Sequence, residues 1–214
     1  MAPYHLIYLD MRARGEPIRM LLVHAKAEFT EERIPWEEWQ QWKSTRGNEL
    51  PFGQTPILKL QNGAVVAQTR AILRFLGRKY GMAGDDEIES AQIDAMGDGF
   101  EDFHDSIYDL ICLRTVDRDE EKAAKALKRL TEGGVIKRGL DRFENFLKAN
   151  GTGYLVGTKL SWADFYVGEW LKVLVDCVEP SLLNGYPLLQ GLIQTIYSLP
   201  NLKGYLAQRK HYIC

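Results

Sequence analysis

The chain predicts an α+β protein of two domains, an N-terminal α/β domain followed by an all-α domain. Three observations carry this. Strand and helix signals alternate over the first third of the 214 residues. An Asn-Gly dipeptide between two apolar runs marks a hairpin. Beyond a small, charged stretch at Gly81-Met82-Ala83-Gly84-Asp85-Asp86, almost every segment carries helical period. The boundary is placed there, giving domains over 1–81 and 87–214.

In order, His5 to Leu9 reads as a strand. Glu16 to Ala27 reads as a helix, with Ile18, Leu21, Leu22 and Ala25 on one face, and Phe29 to Ile34 reads as a second strand. After a longer connection, Pro56 to Leu60 and Ala64 to Ala67 flank Gln61-Asn62-Gly63 as a hairpin, and a helix carries Ala71, Ile72, Phe75 and Leu76. The order β-α-β, connection, β-β-α implies a small mixed sheet with helices packed on it. Helices are then expected over Ile88 to about Cys112, Glu120 to Ala149, Ser161 to Val178 and Tyr186 to Ser198, with a short piece from Leu202. At Ser161-Trp162-Ala163-Asp164 the Ser and Asp form a capping box, with Leu160 and Phe165 as its hydrophobic staple.

Composition narrows the function. With 27 basic and 29 acidic residues the formal charge is −2, too small a field to hold nucleic acid or an anionic membrane. No apolar run reaches the roughly 20 residues of a membrane span, and the N-terminus lacks the pattern of a secretion signal, so a cytoplasmic protein is expected. Cys112, Cys177 and Cys214 form no C-x-x-C, so neither a disulfide framework nor a zinc site is expected. The four histidines lack metal-ligand spacing to one another, and no metal is required. Signatures of a nucleophile elbow, a P-loop, a dinucleotide fingerprint and a zinc protease are all missing from the sequence.

The β-α-β, β-β-α order resembles the thioredoxin fold. Redox members of that fold carry a cysteine where the first strand turns into the first helix, but here no Cys or Ser occurs between Met1 and Lys43. The hydroxyl at that turn is Tyr8. Tyr8 with Met11-Arg12-Ala13-Arg14, Trp39 with Lys43, Leu50-Pro51-Phe52-Gly53-Gln54-Thr55-Pro56, and Gln68-Thr69-Arg70-Ala71-Ile72 together resemble the glutathione-site motifs of the tyrosine-type cytosolic glutathione transferases. The likeness continues through Tyr154-Leu155-Val156-Gly157, Leu160 to Asp164, Pro187-Leu188-Leu189 and Leu199-Pro200. Trp39 and Lys43 look most like the sigma class, which includes glutathione-dependent prostaglandin D synthases. The stretches at Gln68 and Tyr154 are as close to the alpha class.

The resemblance implies glutathione as co-substrate, a thioredoxin-like N-terminal domain and a homodimer that conjugates glutathione to hydrophobic electrophiles in detoxification. It makes Tyr8 and Arg14 catalytic: a neutral phenol donates to sulfur while Arg14 orients it or adds positive potential. Thr55 and a cis-bonded Pro56 would present a main-chain edge to the tripeptide. Gln68 and Thr69, at a helix start, would hold the γ-glutamyl carboxylate. Trp39 and Lys43 would meet the glycyl carboxylate, Gln54 would support the peptide, and Asp102 would reach the neighbouring subunit's glutathione.

The electrophile pocket is expected among Leu9, Met11, His104, Tyr108, Cys112 and Ile213, with Arg12 near it for an anionic substrate. Phe52 matches by position an intersubunit key of alpha members. The acidic run Asp94, Asp98, Glu101, Asp102, Asp105 and Asp109 reads as a solvated helix face that could collect a cation across a two-fold axis. Two other readings are a prostaglandin-H2 D-isomerase and a non-catalytic ligand-binding or crystallin-like protein. Intact Tyr8, Arg14 and Gln68-Thr69 oppose the last.

Overall fold

A computed structural model describes residues 2–210. Four strands, β1 (Tyr4–Leu9), β2 (Phe29–Ile34), β3 (Ile57–Leu60) and β4 (Val65–Ala67), form one sheet in the order β2-β1-β3-β4. β1 runs parallel to β2 and antiparallel to β3, and β3 pairs antiparallel with β4. The β3–β4 hairpin turns where Asn62-Gly63 lies, with Gly63 at φ +85° and Asn62 Oδ1 accepting from the Ala64 N–H at 3.0 Å.

Alternation along β1 sends Tyr4 and Leu6 to a core shared with α1 (Glu16–His24) and α3 (Thr69–Lys79). Ile7 and Leu9 face a second cluster with Ile34, Leu50 and Ile57, against which Trp39 and Trp42 of α2 (Trp39–Arg46) pack. α2 lies in the stretch read from sequence as a connection. It has no buried residue, so no apolar period announces it.

The second domain is helical: α4 (Glu87–Thr115), α5 (Glu120–Glu132), α6 (Val135–Asn150), α7 (Trp162–Val173), α8 (Pro187–Tyr197) and α9 (Lys203–Gln208). The single helix expected over Glu120 to Ala149 is broken at Gly133-Gly134, where Gly134 takes φ +66°. α7 gives way to a π turn over Leu174–Val178. Cys112, on α4, is a free thiol.

Trp162, fully buried, joins the two halves. A Cβ on Gly77 of α3 or Gly97 of α4 would fall 2.9 Å or 2.2 Å from its indole, so both helices approach it only through glycine. The Trp162 backbone N–H donates to the Met82 carbonyl at 2.9 Å. The capping box holds: Asp164 accepts from the Ser161 N–H, the Ser161 hydroxyl and the Leu155 N–H.

The acidic run of α4 is only partly a solvated face. Arg74 reaches Asp94 at 3.0 Å and Asp98 at 2.6 Å, Arg70 pairs with Asp98, and Arg78 lies 3.8 Å from Asp94. Those two carboxylates are paired with the arginines of α3.

His104, expected in the electrophile pocket, is instead a core residue. It is 1% exposed with its ring 4.2 Å from that of Trp170. Burial and the nearby Arg14 guanidinium hold its pKa down to about 4. The unfolded chain therefore takes up a proton near pH 6.5 that the native state refuses until about pH 4. Stability tied to this group is present above pH 6.5 and is lost as pH falls across that window, on the order of 3 kcal/mol in full.

Two outcomes follow from these buried polar groups. Asp164→Ala leaves three donors unpaired and should cost about 2–4 kcal/mol in urea unfolding; a loss under about 0.5 kcal/mol would remove the box from the stability account. His104→Gln should lose less stability than the native chain between about pH 7 and about pH 4.5, and equal losses would show that His104 does not titrate as described.

Candidate functional site

Tyr8, next to last in β1, is 4% exposed. Its ring lies against Gly15, where a Cβ would come within 2.3 Å of Tyr8 Cδ1, so the first helix can begin this close only through a glycine. The Arg14 backbone N–H donates to the Tyr8 hydroxyl oxygen at 3.1 Å. That contact occupies an acceptor position of the phenol and leaves its own proton available to a ligand. Burial pushes the Tyr8 pKa up, against the Arg14 N–H and the Arg19 and Arg14 guanidinium groups, which pull it down. The net shift is upward, so Tyr8 is a neutral donor at physiological pH.

Arg19, fully buried on α1, was not singled out from the sequence. Its guanidinium lies 5.7 Å from the Tyr8 ring centroid, donates to the Met11 carbonyl at 2.7 Å and the Leu9 carbonyl at 3.3 Å, and pairs with Glu31 at 2.8 Å. It thus ties down the turn that follows Tyr8. Its periodicity alone, a charged residue among the apolar positions of an amphipathic helix, was the available signal.

Arg14 projects from this turn to the helical domain. It donates to Glu101 at 2.7 Å and lies 3.7 Å from Asp105. Burial lowers the Arg14 pKa, but the Glu101 carboxylate outweighs it and holds the guanidinium charged. Glu101 is fixed in turn by the Tyr166 hydroxyl, and burial, which favours its neutral form, is overcome by Tyr166 and Arg14. Glu101 and Asp105, grouped from sequence with a solvated face, are therefore part of the site.

Tyr8 and Arg14 open onto a cavity of about 570 Å³. Leu9, Trp39, Lys43, Gln54, Thr55, Pro56, Gln68, Thr69 and Tyr108 line it as well, with Glu101 and Asp105 from α4. Thr55-Pro56 is cis. Lys43 Nζ lies 5.8 Å from the Trp39 ring, which stacks on Trp42. At the start of α3, Gln68 takes φ +73°, no side chain caps the helix, and the buried Thr69 Oγ1 has no partner among the described residues. Open N–H groups, a helix dipole and an unsatisfied hydroxyl meet at one wall, which is suited to an anion.

Several expected residues lie elsewhere. Arg12 is 4% exposed and directs its guanidinium into α7, donating to Glu169 at 2.8 Å and to Asp176 at 2.8 Å, so it does not present a cation to a substrate. The two carboxylates draw it away from the cavity. Met11 and Cys112 are half-buried and do not line the cavity. Cys112 sits behind Tyr108, whose pKa its hydrogen bond, with burial, raises to about 12. Asp102 is exposed on α4, outside the cavity of this chain. Ile213 lies outside the described residues.

A buried neutral phenol, a fixed cation and a polar cavity with an anion-suited wall meet at this site. Residues 4–78 match the family model described as glutathione S-transferase, N-terminal domain, and residues 101–209 match the one for the C-terminal domain. The chain is 35% identical to glutathione S-transferase 1 of Ascaris suum, over 98% of each protein. Among solved structures, monomeric Na-GST-3, a glutathione S-transferase from Necator americanus, is 31% identical with a TM-score of 0.86, covering 97% of this chain and 98% of that one. Prostaglandin synthase D of Nilaparvata lugens is 33% identical with a TM-score of 0.83, covering 96% and 98%. With two such domains in sequence over one thioredoxin-like sheet and one helical bundle, the chain belongs to the glutathione S-transferase family, enzymes that join the sulfur of reduced glutathione to electrophilic small molecules.

Proposed function

We propose that Tyr8 is the residue that activates glutathione, by donating its hydroxyl proton in a hydrogen bond to the sulfur and so favouring the thiolate. The observation that carries this reading is the Arg14 N–H contact at 3.1 Å, which orients the phenol oxygen while leaving its proton uncommitted at the cavity wall. A free thiol titrates near pH 8.5, so a mostly ionised thiol at neutral pH needs a drop of roughly two units, about 2.7 kcal/mol. A charge-assisted hydrogen bond in a partly dry site is of that size, and the positive Arg14 adds to it. The thiol proton leaves to solvent, the sulfur forms a bond to the electrophilic carbon, and the leaving group departs with the electron pair of the bond it breaks.

Within the same reading, Gln68 and the open start of α3 at Thr69 hold the γ-glutamyl carboxylate, Thr55 offers main-chain bonds to the cysteinyl part, and Lys43 with Trp39 meets the glycyl carboxylate, supported by Gln54. Residues 1–81 then bind glutathione, and 87–214 contribute Tyr108 to the electrophile side opposite Leu9. No metal is needed for the step, since Arg14 supplies the positive charge beside the sulfur. A homodimer is part of the proposal: Phe52 is 65% exposed, and Asp102 stands on the outer face of α4 where a second copy would find it. No described helix is long and apolar enough to cross a membrane. A cytoplasmic setting belongs to the proposal too.

The likeness to a prostaglandin synthase D favours a second activity at the same hydroxyl, isomerisation of a prostaglandin endoperoxide: the thiolate attacks one peroxide oxygen as the O–O bond breaks and the other oxygen takes a proton, then loss of the proton on the carbon bearing the S–O oxygen expels the thiolate and leaves a ketone. Product analysis with prostaglandin H2 decides it: D2 supports the isomerase, and only uncatalysed breakdown removes it.

Conjugation of a chlorodinitrobenzene reporter by Tyr8→Phe should fall by about one to two orders of magnitude near neutral pH, with glutathione affinity within about threefold of the native value. Full activity in this variant would end the Tyr8 assignment.

A further inference from the structure

The turn between β1 and α1 carries a conformational anomaly. Ala13 sits at φ +34°, in the left-handed region where a Cβ crowds the backbone. A residue held there persists only where its surroundings over-determine it. Its two neighbours are arginines, and both reach into the helical domain. Arg14 takes Glu101 on α4. Arg12 takes Glu169 through Nε at 2.8 Å, Asp176 through one terminal nitrogen at 2.8 Å, and the Tyr197 hydroxyl through the other at 3.1 Å. The Tyr197 hydroxyl donates back to Glu169 at 2.5 Å, and the Arg12 carbonyl accepts from the Glu16 N–H at 3.0 Å. None of Arg12, Glu169, Asp176 and Tyr197 lines the cavity.

We infer that Arg12 and Glu169 are positioning residues for thiol activation: their buried pair pins one side of the Ala13 kink, and the kink aims the Arg14 N–H at the Tyr8 hydroxyl. This rests on the assignment of the thiol to Tyr8. The peptide plane between Ala13 and Arg14 turns with the Ala13 dihedrals, and a tilt of roughly 60° takes that N–H out of hydrogen-bond geometry. Without its anchor, Ala13 relaxes toward negative φ, which its side chain prefers, and the N–H swings away. The phenol oxygen then loses the contact that fixes its orientation. A buried ion pair is weak evidence of stabilisation, because apolar groups of the same shape often serve folding as well. Geometry is the role this pair fills that such groups would not.

Electrostatics alone makes the opposite forecast for one of the two residues. The charged and titratable groups facing Tyr8 are Arg14 from the turn, Arg19 from α1, and Tyr108 and Cys112 from α4, with Glu101 and Asp105 acting through Arg14. Removing the positive Arg12 from this field disfavours a thiolate, whereas removing the negative Glu169 favours one. Loss of aim disfavours it in both cases.

The test is the pH profile of kcat/KM for chlorodinitrobenzene at saturating glutathione, in the full-length native chain, Arg12→Met, Glu169→Gln and Glu169→Gln with Ala13→Gly. The native profile should show a thiol pKa well below 8.5. Both single variants should raise it by about one unit, a loss of about tenfold at the acid end, with KM for glutathione changed less than about threefold. Ala13→Gly, which accepts positive φ without an anchor, should recover at least half of the shift. Shifts of opposite sign in Arg12→Met and Glu169→Gln, or a native profile in Glu169→Gln despite a lowered melting temperature, would overturn the inference. Should Arg12→Met fail to fold, the near-isosteric Glu169→Gln carries the decision. A native chain whose profile turns at 8.5 would remove the Tyr8 assignment itself, and this inference with it.

Discussion

A phenol lowers the pKa of a thiol beside it only while it keeps its own proton, and that requirement governs the environment of Tyr8. Burial raises the cost of ionising Tyr8, and this outweighs the Arg14 N–H and the two guanidinium groups that would favour a phenolate. In the proposed reading the same groups serve the sulfur. Arg14 and Arg19 carry positive charge close to the phenol without contacting its proton, and the backbone N–H of Arg14 polarises the O–H bond toward a ligand. A fully hydrated tyrosine would donate as readily to water as to sulfur, so the low exposure of this ring is part of the proposed chemistry.

Burial at the end of a strand has structural consequences that run outward. α1 must start against the ring, which is why Gly15 stands where any side chain would collide with it. The chain reaches Gly15 through a single 3-10 turn over Ala13–Gly15. Arg19 anchors that turn from below through the Leu9 and Met11 carbonyls, and Arg12 and Arg14 anchor it from the side through Glu169 and Glu101. The sheet thus supplies the hydroxyl, and the helical domain fixes its surroundings. Packing of Trp162, at the start of α7, between α3 and α4 keeps the two halves in register while these ion pairs form across them.

The elements with a clear period were legible from sequence. β1, β2, the Asn-Gly hairpin, α3 and the capping box at Ser161 appear within a few residues of where pattern and turn chemistry put them. α2 was not legible because it has no buried residue from which to read a period. The break at Gly133-Gly134 was written both in the dipeptide and in the apolar stripe, which changes face there: Ala123 and Leu130 before it and Ile136, Leu140, Phe143 and Leu147 after it do not fall on one helical stripe. Of the cavity residues, those on main-chain turns and helix starts were readable, since their roles depend on chain position. Arg12 and His104 were not. Which way a side chain leaves a turn, and which face of a long helix is covered by α7, depends on packing between segments more than sixty residues apart. Glu101 was hidden for the same reason, since a run of acids on one helix looks alike until Arg14 and Tyr166 select one member.

The measurement that bears most directly on this account is ultraviolet titration of glutathione bound to the native protein, following thiolate and tyrosinate absorbance together. The account requires the thiolate band to develop about two units below the 8.5 of a free thiol, with no tyrosinate from Tyr8 appearing below about pH 10. A thiolate that forms only at the free-thiol pKa, or a tyrosinate rising in step with it, would contradict a neutral phenol as the activating group.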